Sequence, residues 1–299
     1  MGRLLRSIDD LSDDDVRWVM RRAAAHQDGS ALPLLARGPV VGLLFLETSL
    51  RTRVGYSAAA ARLGGTALGV AIQRNSEISM PESIHDTLRT LMGYTDVVVT
   101  RPGVALTGDV VPGDSSTPII NGGDRGVDAE HPSQALIDLY AVEADLGGFD
   151  GAIIGICGDP RMRSVASLLR LMVRFRPRAI RLVTVPCLLE GFELPDELRD
   201  VTTFTGLDDV GDVTLLYVAG IPHGAATEPE RSALRITAAV LDRMSPGTVV
   251  TSPLPAIDEI TTEAFANPRV RAFAHSDAGL FVRMALLEHV LDLDRGVSA

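Results

Sequence analysis

The stretch "FLETSLRTRVGYSAAAARLGG", residues 45–65, sets Ser49, Arg51, Thr52 and Arg53 between an apolar run and a small-residue helix. Two hydroxyls and two guanidiniums at a predicted helix start suit an anion. Backbone N–H groups and the helix dipole favour phosphate or carboxylate there. Hydroxyls donate to its oxygens, and a guanidinium grips two of them. The motif lacks the glycines and lysine of a nucleotide-triphosphate loop, which disfavours that ligand. In isolation the same residues also read as an N-capping serine followed by solvated arginines.

Two further stretches carry chemistry of the same kind. In "HPSQALIDL" (131–139) His131 and Gln134 stand three apart in the first turn of a helix, so both point the same way. Imidazole and amide together suit a small planar group with a carbonyl and an NH2; structural capping is the competing reading. In "SPLPAIDEI" (252–260) the run Pro253-Leu254-Pro255 continues neither a helix nor a central strand. Such a turn aims backbone carbonyls at a ligand, or simply terminates a strand.

The elements that must position these residues alternate. Apolar runs at 39–47, 66–72 and 95–101 read as strands, with helices over 54–65 and 83–94 between them. The polar, Gly-rich stretch 108–130 reads as loop with one short apolar run, followed by a helix over 131–147 with proline in its first turn. Strand–helix alternation restarts at 151 and a helix over 278–293 closes the chain. This pattern predicts α/β architecture with two parallel sheets. The expected domains are 1–135 and 136–299, with the helix 278–293 packing back on the first. Ser49–Thr52, Arg101, Asp159–Arg163, Ala219–His223 and Ser252–Pro255 all fall at the carboxyl ends of predicted strands, where open parallel sheets bind ligands.

The 299 residues are 46% hydrophobic and 22% charged with a net charge of -11, which disfavours nucleic acid or an anionic membrane surface as partner. All 28 cationic Lys+Arg positions are arginine, so no lysine is at hand as base, Schiff-base former or phosphate clamp. Cys157 and Cys187 match no common zinc spacing and read as buried thiols of a reducing compartment. With neither a signal-peptide core nor a membrane-length apolar run, the expected location is the cytoplasm.

Taken together, "FLETSLRTR", "HPSQALIDL", "SPLPAIDEI" and "GLFVRMALLEHVL", in this order and at these separations, resemble the aspartate/ornithine carbamoyltransferase family, nearest the aspartate branch. The resemblance spans essentially the whole chain. It implies two doubly wound parallel-sheet domains joined by interdomain helices, and a homotrimer with shared active sites. It implies a carbamoyl-phosphate site that needs no cofactor or metal. Residue by residue, the phosphate loop falls on Ser49, Leu50, Arg51 and Thr52, and the strand-end arginine on Arg101. The carbamoyl contacts fall on Thr52, Arg101, His131 and Gln134, with the Leu254 carbonyl beside them. Arg51, Thr52, Arg101 and His131 carry the chemistry: they stabilise charge on the carbonyl oxygen and on departing phosphate as a neutral amine attacks.

The chain departs from the aspartate branch at several positions. Leu50 stands where threonine is usual. The loop that delivers a serine and a lysine from a neighbouring subunit corresponds to 74–87, which offers Ser76 but has Met80 at the lysine position. On the acceptor side Arg163 matches an arginine that binds substrate, with Pro253 and Leu254 nearby. Gly220 and Pro222 replace a second arginine and a glutamine, while Ser252 replaces histidine and Ala256 arginine. These lost contacts predict an acceptor amine other than aspartate, such as a diamino acid of specialised metabolism. The alternatives are ordinary aspartate carbamoylation for pyrimidine synthesis, or a non-catalytic or repurposed protein of the same fold. Retention of the carbamoyl-side residues argues against the last.

Overall fold

The computed structural model describes residues 4–32, 37–70 and 82–291. The chain divides into two compact units, Met1–Leu136 with Ala278–Ala299, and Ile137–Asp277.

The first unit contains β1 (Leu4–Leu5), α1 (Asp13–Asp28), β2 (Val40–Phe45), α2 (Leu50–Arg62), β3 (Thr66–Val70), α3 (Ile84–Tyr94), β4 (Val97–Arg101) and β5 (Ile119–Asn121). Its sheet has the order β1-β5-β4-β2-β3, with every pairing parallel. The central strands are nearly continuous apolar runs because helices cover both faces of such a sheet. Leu44, Val98 and Ile119 pack with Leu88 and Met92 of α3 into one buried cluster. Sequence periodicity finds neither β1, which is two residues long, nor β5, whose three residues lie inside the stretch read as loop. Both strands exist through their neighbours: Leu4 pairs with Ile119, and Ile119 with Val98.

α4 (Pro132–Leu146) crosses from the first unit into the second. The second unit then adds β6 (Ile153–Cys157), α5 (Arg163–Arg174), β7 (Ala179–Val183), β8 (Thr202–Thr205), β9 (Leu215–Val218), α6 (Glu228–Ala233), α7 (Ala238–Arg243), β10 (Val249–Thr251) and α8 (Thr262–Phe265). Its sheet, again wholly parallel, has the order β10-β9-β6-β7-β8. At the end of β6, Gly158 has φ 117°, and a Cβ there would lie 2.2 Å from the Ala219 carbonyl oxygen. Only glycine lets the ends of β6 and β9 come this close. Cys157 is buried in β6, whereas Cys187 is only half-buried.

The closing helix α9 (Ala272–Leu291) starts six residues before the expected 278 and carries the chain back into the first unit. Its polar first turn, "AFAHSDAG", masked the start in the sequence. In the structure that turn is anchored by His275, whose Nδ1 lies 2.7 Å from Thr251 Oγ1 and Nε2 2.7 Å from Asp145 Oδ2.

Candidate active site

The first unit gathers most of the carbamoyl-side residues. Arg101 is the last residue of β4, opposite Phe45 of β2, and only 8% exposed. Its Nε donates to the Gly122 carbonyl at 2.9 Å and Nη1 to the Thr48 carbonyl at 3.4 Å. These bonds aim Nη2 at Thr52 Oγ1, 3.4 Å away, and at His131 Nε2, 3.1 Å away. Thr52 Oγ1 and His131 Nε2 are themselves 3.4 Å apart. Three side chains from β4, α2 and the start of α4 therefore meet at one point.

Arginine donates and cannot accept, so His131 Nε2 is the acceptor here and the neutral ring carries its proton on Nδ1. Ser133 Oγ, 3.3 Å from Nδ1, is placed to accept it. In this tautomer His131 holds Arg101 in place. Its Nε2 then carries no proton to donate, which residue spacing does not reveal.

The loop before His131 is built by residues that sequence reading passed over as part of the Gly-rich stretch. Asp124 accepts from the backbone N–H groups of Leu106 and Glu130, at 3.1 and 2.8 Å. Asn121 donates to the Arg6 and Glu130 carbonyls, at 2.9 and 3.3 Å, and accepts from Gly123 N–H at 2.8 Å. "NGGD" was the available signal, since short polar side chains beside glycines commonly bond to nearby backbone.

α2 begins at Leu50, so Leu50, Arg51 and Thr52 form its first turn. Ser49 occupies the N-cap position, yet its side chain makes no capping bond. Ser12, Ser83, Thr237 and Thr261 do cap α1, α3, α7 and α8. The reading of Ser49 as an ordinary cap is therefore not followed. Arg51 is half-buried, and burial lowers its pKa. Arg53 is exposed and turns toward β3, where its Nη2 would lie 3.2 Å from a Cβ on Gly69. Leu50 is 71% exposed. Gln134 is half-buried in the first turn of α4, its N–H bonded to the His131 carbonyl at 2.9 Å. Ser76 and Met80 lie outside the described residues.

The second unit holds Arg163, Pro253 and Leu254. Arg163 opens α5, whose N-cap, Met162, likewise makes no side-chain capping bond. Just before it, Arg161 grips Asp159 through two bonds of 2.9 Å. At the end of β10, Leu254 has φ 54°, a left-handed conformation uncommon for a residue with a bulky side chain. Its N–H donates to Ser252 Oγ at 3.2 Å. The end of β9 faces this turn: a Cβ on Gly220 would lie 3.9 Å from both the Pro255 carbonyl and Glu259 Oε1. Glu259 accepts from Ile221 N–H at 2.8 Å and Ile257 N–H at 2.7 Å, while Arg231 donates to the Ile221 carbonyl at 2.9 Å. Arg231 also pairs with Asp258. This Arg231–Asp258–Glu259 brace was not read from the sequence.

Among the described residues no group of three or more His, Cys, Asp or Glu is placed to hold a metal ion, and no helix is long and apolar enough to cross a membrane.

Residues 3–144 match the model of the aspartate/ornithine carbamoyltransferase carbamoyl-phosphate-binding domain. The chain is 31% identical to the aspartate carbamoyltransferase catalytic subunit of Archaeoglobus fulgidus, over 97% of this chain and 100% of that one. The chain belongs to the aspartate/ornithine carbamoyltransferase family. The catalytic subunit of Thermofilum pendens is 32% identical over 97% of this chain and 95% of its own. Among solved structures, aspartate transcarbamoylase from Trypanosoma cruzi in complex with carbamoyl phosphate and aspartate superposes with a TM-score of 0.81. It is 31% identical, over 96% of this chain and 94% of that one. The same enzyme with carbamoyl aspartate and phosphate gives a TM-score of 0.84 at 29% identity, over 96% and 95% of the two chains.

These comparisons overturn the expectation of an acceptor other than aspartate. The relatives on both sides are aspartate enzymes matched along nearly the full chain, so they support ordinary aspartate carbamoylation. The expectation rested on side chains lost at Gly220, Pro222, Ser252 and Ala256. Counting lost side chains omits backbone N–H groups and helix N-termini, which also bind carboxylates.

Proposed function

We propose that the chain transfers the carbamoyl group of carbamoyl phosphate to the amino group of aspartate, in the cytoplasm, as a homotrimer. The observation that carries this reading is the meeting of Thr52, Arg101 and His131 within 3.1–3.4 Å of one another, beside the uncapped first turn of α2.

The neutral amine forms a bond to the carbamoyl carbon, and the carbonyl π electrons move onto oxygen. Arg101 Nη2 and the Thr52 hydroxyl donate to that oxygen, and a protonated His131 adds a third donor. Fixed donors aimed at developing charge cost no reorganisation during the reaction. As the carbonyl reforms, the C–O bond to phosphate breaks and its electron pair leaves with the phosphate. Arg51, the Ser49 hydroxyl and the N-terminal amides of α2 stabilise this dianion, which takes the proton lost by the amine. Arg163 and the turn at Pro253–Leu254 hold the acceptor, the arginine by its charge and the turn by the Leu254 carbonyl.

The test is direct. Purified protein incubated with carbamoyl phosphate and equal concentrations of aspartate, ornithine and other amines is expected to yield N-carbamoylaspartate as the main product by mass spectrometry. A carbamoylated product on another amine, with aspartate unreacted, overturns the choice of acceptor.

A further inference from the structure

Arg283 sits on α9 within the first unit and is 4% exposed. Its Nε has no hydrogen-bond partner, and among the described residues no carboxylate pairs with it. The guanidinium carbon lies 5.8 Å from the ring centroid of Tyr56, a fully buried residue of α2. The adjacent Gly55 makes room for it: a Cβ there would meet Nη1 at 2.8 Å, and Cδ and Cζ at 2.9 Å. α9 does not lack acids. Glu288, five residues on, is fully engaged by Arg22 and His26 at 2.7–2.8 Å.

A buried, unpaired cation is costly, and arginine cannot escape the cost by losing its proton. Tyr56 beside it is neutral, burial pushing its hydroxyl up, so the charge that acts on Arg283 is the like charge of Arg51. Arg51 lies one turn before Gly55 on α2, in the first turn. Arg51 thus stands in the first turn of α2 and Arg283 lies against the second, at Gly55 and Tyr56. The helix dipole adds to them with the same sign. An anion at this helix start offsets all three.

We propose that Arg283 is a positioning residue of the carbamoyl-phosphate half-site, whose buried charge, seated against Gly55 and Tyr56, strengthens phosphate binding at the first turn of α2 without touching the ligand. The inference rests on the reading that this turn takes the phosphate.

The experiment is calorimetric titration of the full-length protein with inorganic phosphate. Arg283→Met keeps an unbranched apolar stem over Tyr56 and removes the charge. It is expected to weaken phosphate binding about tenfold, the scale of one charge acting across a few side chains at an effective dielectric near 20. Arg283→Lys, which restores the charge without the planar stack, is expected to recover most of that loss. Gly55→Ala displaces the guanidinium and keeps it charged, so it is expected to weaken binding in a helix otherwise favoured by the substitution. It remains informative if Arg283→Met fails to fold. Wild-type affinity in Arg283→Met or in Gly55→Ala overturns the proposal, as does an Arg283→Lys variant no better than Arg283→Met. Absence of phosphate binding in the wild-type protein removes the parent reading, and this inference with it.

Discussion

Arg101 shows why a residue type at a strand end is not yet a site. Its position at the carboxyl end of β4 follows from the sheet, but its direction is fixed by two carbonyls, those of Thr48 and Gly122. With Nε and Nη1 held, Nη2 is the atom left to serve both Thr52 and His131. Arg101→Ala removes the donor and the hub together, and is expected to lower kcat by about 10²- to 10³-fold, the range for one lost oxyanion donor. His131 separates two roles. His131→Gln retains an acceptor for Arg101 and an N–H donor, and is expected to keep more activity than His131→Ala. Steady-state kinetics with aspartate saturating checks both. Equal loss in the two His131 variants means that the ring acts through something other than its bond to Arg101.

At the scale of elements, the helices sort by their caps. α1, α3, α7 and α8 have Ser or Thr hydroxyls on their first-turn amides. α2 and α5, which carry Arg51 and Arg163, have none. A cap offsets the unmet amides of a helix start, and α2 and α5, whose starts lack one, are expected to meet substrate. The strand–helix alternation was legible because each central strand is an apolar run and each helix has a periodic face. The short and polar strands were not: β1, β5 and β8 owe their existence to partners distant in sequence. The start of α9 was hidden for the same reason, since its polar first turn is held by Thr251 and Asp145. That anchor gives a pH prediction. Asp145 accepts, so His275 donates from Nε2, and the neutral ring accepts the Thr251 hydroxyl at Nδ1. Burial lowers the pKa of His275, outweighing its bond to Asp145, which acts to raise it. The unfolded chain then binds the proton at a higher pH than the folded one. Stability is full above the unfolded value of about 6.5 and falls as pH drops below it, by at most ~1.4 kcal/mol per pH unit from this group. Urea unfolding between neutral and mildly acidic pH is expected to show this slope in wild-type protein and a shallower one in His275→Gln. Identical slopes would remove His275 as its source.

At the scale of the whole molecule, the two units divide the candidate chemistry. Ser49, Arg51, Thr52, Arg101, His131 and Gln134 belong to the first, while Arg163, Pro253 and Leu254 belong to the second. The meeting of Thr52, Arg101 and His131 was legible because these side chains stand at predicted strand and helix ends. The acceptor was misjudged because only substituted side chains were weighed, at Gly220, Pro222, Ser252 and Ala256. The remaining whole-molecule question is assembly, and the surface of the first unit bears on it. Leu50 and Val54, one turn apart on α2, are 71% and 54% exposed, and Leu68 on the edge strand β3 is 44% exposed. Among the described residues β3 ends its sheet, and apolar side chains beside a sheet edge suit a surface for another protein to cover. A head-to-tail contact between copies closes into a ring when its rotation permits. The homotrimer we propose is expected to use this surface, and light scattering to give three times the chain mass of 31.8 kDa. Val54→Glu combined with Leu68→Glu puts two carboxylates on the covered face and is expected to shift the mass toward that of a single chain. A trimeric double variant would place the interface elsewhere, and a monomeric wild-type protein would end the proposal of assembly.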